Sequence, residues 1–573
     1  MQTRTLAKPI GLTLLLTLTV PLATLALERA EANPAVGDLR KVGTVHMETS
    51  CSPGVKDDFA AATALLHSFF YAEARRRFSE VAAKDPSCAM AHWGIAMTWW
   101  HPIWAAPMPE ERAAGLRAIE RAKAITGKTK LERGYIEALA AFYAEPAHAV
   151  AAEGGQSCHG PTGGGDHAAR ALAYEKAMGR LFIRQPGDVE VAAFYALALL
   201  GAASPADKTL EKQTRAAVIL EPFYKKYPDH PGLIHYLIHA YDYPAVAEKG
   251  LAAAQAYAAI APWVPHALHM PSHIFTRLGM WNENIASNIA SADAARQYAR
   301  LHHPQATSFE ELHADDYLVY GYLQTAQDDA AREIVEQTQA VRTTFPAIDF
   351  AAAYALGAVP ARYALERKQW AEAASLSETT AASWGKYPVG AAHQEFARAL
   401  GAARSGRVEQ ARTEVEALER VAASMQDPSQ RYFAQQTEAQ IHAVKGWLAS
   451  AEGRPDEAER LLREAADAED ALGKSPVSPG ALIPARELLA DFLAERGRDR
   501  EALVEYERCL GINPRRLNSV YGAGSAAERD GQAEIARRYY ADLVAMVSAD
   551  ATRPEVQHAR GFVGSNGEKR VSR

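Results

Sequence analysis

Histidine is crowded into one stretch of this chain. Of 19 histidines in 573 residues, nine lie between His230 and His313. Two segments dominate: His235-Tyr-Leu-Ile-His239-Ala-Tyr-Asp242 and His266-Ala-Leu-His269-Met-Pro-Ser-His273. Each holds a histidine pair at i, i+4, a spacing that puts both rings on one face of a helix. His235 to His269 is 34 residues, and so is His239 to His273. Imidazole is the commonest protein ligand for transition metals. Two such pairs on adjacent helices could bring several ring nitrogens to bonding distance of one ion. The candidate ligand set is His235, His239, His269 and His273, with Asp242 as a carboxylate ligand or as a partner that orients a ring. Zinc, copper and iron all suit these donors. Two other readings stay open: a polar groove without metal, and histidines that only support the fold. Pro271 lies inside the second pair and distorts the helix that would carry it.

A 34-residue recurrence must come from the elements that carry these pairs. Tyr71-Ala-Glu-Ala74 is followed by Phe78 and then Pro86. The same order returns as Ala502, Tyr506 and Pro514, and again as Ala536 and Tyr540. Gly446 and Gly524 each precede such an alanine (Ala458, Ala536) by 12 residues. The pattern resembles the tetratricopeptide repeat (TPR), a unit of two antiparallel helices. Weaker units start at Trp281, Trp370, Val408 and Asp456. The resemblance implies an all-α fold, an α-solenoid of stacked helix-turn-helix hairpins forming a superhelix with a concave groove. It also implies that Cys509 is a small packing residue. In the repeat register, His235, His239, Asp242, His266, His269 and His273 fall on positions that line the groove in this family. Glu190, His67 and His101 fall there too, and His313 and Asp316 begin the next groove helix. The expected ligand is a protein or peptide segment lying in that groove. Replacing His235 by alanine is then expected to cost little stability, because a groove position is not core.

The rest of the chain narrows the classes of function. Apolar residues make up 48% and charged residues 23%, which excludes a disordered chain or a membrane bundle. The net charge of −7 offers no basic excess for nucleic acid. Residues 1–32 read as a secretory signal peptide: Arg4 and Lys8, an apolar run to Leu27, then Ala30-Glu-Ala32. A periplasmic or secreted location is expected, with no stable membrane insertion after cleavage. Export permits a Cys51–Cys88 bridge that would tie down an N-terminal extension, 33–57. Cys158 sits in a Gly-rich loop, 153–165, that is neither a haem attachment nor a phosphate cradle. Two arrays follow from the histidine distribution, 58–345 and 346–550, with a disordered tail at 551–573. No HExxH or GxSxG motif is present. An exported binding scaffold with a histidine-lined groove is the first expectation. A metal-dependent hydrolase or oxidoreductase using His235, His239, His269 and His273 is the alternative.

Overall fold

The computed structural model describes residues 38–103, 106–145, 165–204, 207–377, 381–427, 430–473 and 477–564. The expected signal peptide and Cys158 with most of its Gly-rich loop lie outside the described residues. Helical hairpins stack from Lys56–His67 with Tyr71–Lys84 at one end to Leu517–Arg529 with Ala533–Met546 at the other. Among the described residues the strands are one short parallel pair, Thr307–Ser308 with Thr344–Phe345. No described helix is long and apolar enough to cross a membrane.

The repeat motif works by close approach. Ala74, Ala458, Ala502 and Ala536 are fully buried. The Phe78 ring lies so near Gly94 that a Cβ there would sit 2.5 Å from it, and Tyr506 crowds Gly522 to 2.3 Å. Each aromatic is followed by its glycine 16 residues later, on the first helix of the next hairpin. Any side chain at Gly94 or Gly522 would force neighbouring hairpins apart. Free Cys509 is buried, as a packing residue should be.

Three features depart from the sequence reading. The tail is not disordered throughout: Pro554–Gly564 is a helix that buries Val556 and Ala559 and sets Phe562 against Tyr540. The apolar core divides earlier than 345–346. One cluster runs from Val42 to Phe275, and the next large one from Trp281 to Ala559. Finally, the C-terminal hairpins touch the middle of the chain, a long-range contact that the repeat pattern does not reveal. The buried Arg516 guanidinium bonds Glu366 at 2.5 Å and Glu487 at 2.7 Å. Ser548 N–H donates to the Thr325 carbonyl. The C-terminal hairpins thus close back onto the helix Phe309–Gln324.

The N-terminal extension is a strap. Cys51 and Cys88 form a disulfide. Going back along the chain, Ser52 N–H donates to Asp85 Oδ2 (2.7 Å), Ser50 N–H to Glu132 Oε1 (2.8 Å) and His46 N–H to Glu190 Oε1 (2.6 Å). Thr44 N–H then donates to the Asp229 carbonyl at 3.1 Å. These acceptors stand at or just before the N-terminal ends of successive first helices. The solenoid therefore binds an extended segment of its own chain.

Candidate metal centre

Six histidines gather where the helices Pro231–Tyr241, Pro265–His269, Pro271–Arg277 and Phe309–Gln324 meet. Proline at the first position suits the starts of the first three. The fourth starts at Ser308, whose hydroxyl accepts from Glu310 N–H. The helix 231–241 is buried on every face, which leaves His235 fully buried and His239 nearly so. Pro271 interrupts the second pair's helix at Met270, which stays in the right-handed helical region, so the chain direction is kept. His269 and His273 therefore still share a face.

The six rings form two triplets. His235, His239 and His266 are one; His269, His273 and His313 are the other. Within each, one ligand atom per residue lies within 4.8 Å of the others. His235 Nε2 is 3.0 Å from His239 Nε2 and 3.1 Å from His266 Nε2. His269 Nε2 is 3.0 Å from His273 Nε2, and the His313 ring centroid is 4.4 Å from that of His269. Two imidazoles on a tetrahedral zinc-like ion place their nitrogens about 3.3 Å apart. The triplets adjoin, with the His266 and His269 ring centroids 6.4 Å apart. One aromatic ring covers each: Phe69 lies against His235, His239 and His266, and Tyr317 against His269, His273 and His313.

Outer partners decide where the protons are. His235 Nδ1–H donates to the His67 carbonyl at 2.7 Å, and His273 Nδ1–H donates to Asp242 Oδ2 at 2.9 Å. His269 Nδ1–H donates to Asn288 Oδ1 at 2.6 Å. The Asn288 amide is itself oriented, because its Nδ2 donates to the Asn284 carbonyl. Asp242 is held in turn by Arg277, whose Nε donates to Oδ1 at 2.8 Å. A neutral imidazole that donates from Nδ1 carries a lone pair on Nε2. The nitrogens that face one another within the triplets include His235, His269 and His273 Nε2, all of this kind. Burial, together with the neighbouring histidines, holds His239 well below the ordinary histidine range. Burial likewise brings His235 to about 3. Both rings are neutral at pH 7, the form that binds metal.

A third cluster has the opposite arrangement. Glu190 Oε2 accepts from His67 Nε2–H at 2.9 Å, and Oε1 accepts from His230 Nε2–H at 3.0 Å. His67 Nδ1 accepts from the Tyr236 hydroxyl, and His230 Nδ1 from the Gly232 and Leu233 N–H groups. Both rings use both nitrogens. Burial alone would raise the Glu190 carboxyl; His230 and His67 outweigh it and hold the group well below the usual range. His67 joins the two regions, since its carbonyl is the acceptor for His235.

The residues named from sequence thus separate. His235, His239, His266, His269, His273 and His313 come together. Asp242 takes the orienting role: its carboxylate faces the Nδ1 side of His273, not the side where the nitrogens converge. Asp316 bonds the Arg362 guanidinium at 3.1 Å and is not among the converging ligand atoms of either triplet. His101 caps the helix Ala89–Trp100 and packs on Tyr71, apart from the six. Glu190 and His67 belong to the hydrogen-bonded cluster. His235 is fully buried, so it is a core position, not an open groove position, and a loss of stability in His235→Ala is expected instead. His230, Asn288, Arg277, Phe69 and Tyr317 were not legible as site residues. His230 carried one usable signal, its place just before Pro231, where a side chain caps a helix.

No family model matches the chain, and no curated protein matches it. Among solved structures it is similar to yeast Tom70, with TM-score 0.32 and 8% identity over 89% of this chain and 95% of that one. It is also similar to the APC/C hetero-tetramer Cut9-Hcn1, with TM-score 0.31 and 10% identity over 90% of each chain. Likeness at this level carries nothing about function. The TPR-like stacking of helical hairpins stands on the chain's own packing.

Proposed function

We propose that this chain is an exported metalloprotein, a TPR-like solenoid whose task is to hold two adjacent transition-metal ions, each on three imidazoles. One observation carries the reading. His269 and His273 both spend their Nδ1 protons on outward acceptors, yet their Nε2 atoms face each other at 3.0 Å. Two lone pairs at that distance repel, and a cation between them turns the contact into a ligand set. The all-imidazole donors suit copper, zinc or iron rather than magnesium or calcium. An ion with three protein ligands keeps a position for a water or substrate, which is the catalytic rather than the structural pattern. The Cys51–Cys88 disulfide supports an oxidising compartment. A peptide ligand is less well supported along the N-terminal hairpins, because their helix ends already hold the strap.

The test is elemental analysis of untagged protein. Two metal ions per chain are expected, falling to one in His239→Ala and to one in His273→Ala. Metal-free protein after growth and reconstitution with copper, zinc or iron would end this reading.

A further inference from the structure

The metal pair proposed above sits in unusual surroundings for divalent ions. Both triplets are buried, and no carboxylate is among the atoms that converge in them. Asp242, which touches His273 from outside, is already paired with Arg277. Two divalent ions on neutral ligands would bring four positive charges into a low-dielectric interior, a costly arrangement without compensating anions. Two cuprous ions bring half that charge, and imidazole suits copper.

Charge also identifies a ligand. We infer that the six imidazoles hold a pair of copper ions, one per triplet, and that the ligand shared by the pair is dioxygen. Each cuprous ion gives one electron. The dioxygen accepts both, its O–O double bond becomes a single bond, and the product is two cupric ions bridged by a peroxide dianion. Two positive charges are present before and after, so the buried chamber gains no net charge. No proton or external reductant enters this step. Release of dioxygen reverses it. The covers on the two triplets limit the ligand's size: Phe69 and Tyr317 each lie against all three rings of their triplet, with ring centroids 4.4–5.7 Å apart, so a bulky organic substrate would have to displace them. Phe69 is held there by a left-handed backbone (φ +56°), and its N–H is bonded to the Leu66 carbonyl. A non-glycine residue keeps that conformation only when its surroundings require it.

This inference rests on the two-metal reading, and the experiment separates them. The full chain is loaded anaerobically with cuprous ion, its copper content is measured, and dioxygen is admitted with carbon monoxide as a competing cuprous ligand. The expected result is one dioxygen taken up per two copper ions. A near-ultraviolet charge-transfer band should appear with it, vanish on deoxygenation and be suppressed by carbon monoxide. His239→Ala and His313→Ala, one in each triplet, should each retain one copper and lose the band at least about tenfold. Two bound copper ions without dioxygen uptake would overturn the inference and leave the two-metal reading intact. So would equal uptake by a one-copper variant. A chain that binds no copper would overturn the inference, and the two-metal reading would then rest on zinc or iron.

Discussion

The Glu190 cluster and the paired histidine triplets are built from the same materials a few ångströms apart, and their chemistry is opposite. Each is buried and each gathers three potential ligands within 4.8 Å. Around Glu190 every imidazole proton points inward, at a carboxylate, and the outer nitrogens accept from Tyr236 and from backbone N–H groups. In the triplets the protons of His235, His269 and His273 point outward and lone pairs converge. The first arrangement pairs each inward proton with a carboxylate oxygen; the second is the one that, on the proposed reading, receives a cation. Ligand-type residues at ligand-like distances therefore do not define a metal site. The partner of the far nitrogen does.

The largest test of this contrast is Glu190→Ala. It strips the acceptor from two buried histidines and from the strap's His46 N–H, a loss of roughly 3–5 kcal/mol by the measure of broken buried pairs. Denaturant unfolding reads that loss, and the metal content should stay at two ions. A drop of one ion would break the contrast and make the Glu190 cluster a metal site. On the other side, Asp242→Asn weakens the acceptor that keeps the His273 proton on Nδ1. Metal affinity should fall by about 10–100-fold, measured by competition with a chelator, with both ions still bound at saturation. Unchanged affinity would show that Asp242 serves Arg277 alone.

A further test is one of pH. In metal-free protein His235 sits at about 3, against 6.5 for an ordinary histidine. Below 6.5 the unfolded chain takes up a proton that the folded chain refuses. This contribution to stability is present in full above 6.5 and is lost as pH falls toward 3, by about 1.4 kcal/mol per pH unit for each such ring. Unfolding midpoints of metal-free protein and the metal-free His235→Ala variant should therefore converge on acidification. Parallel curves between pH 7 and 4 would place the ring in a solvated setting.

Much of the fold was legible because repeat packing is local. Alanine, aromatic and glycine at set intervals state where two helices touch, and the same contact returns with each hairpin. The histidine pairs were legible for the same reason, since a 34-residue phase puts equivalent positions on adjacent inner helices. His266 and His313 were visible only as groove residues. Their places in the triplets depend on how far each hairpin rotates against the next, and the insertions and Pro271 alter that rotation. The tail was misread because the helix 554–564 is stabilised by docking on its neighbour, which a loss of repeat periodicity does not reveal.

Residue order alone determined the helical hairpins, their repeat length and the crowding of imidazoles on neighbouring inner helices. These follow from periodicities of a few residues and from residue type. The assembled superhelix decided that the six imidazoles are buried together and which nitrogen of His235, His269 and His273 carries the proton. Those properties belong to partners distant in the chain: His67 to His235, Asp242 to His273, Asn288 to His269. A ring carries one proton and two nitrogens, and only its three-dimensional neighbours choose between them.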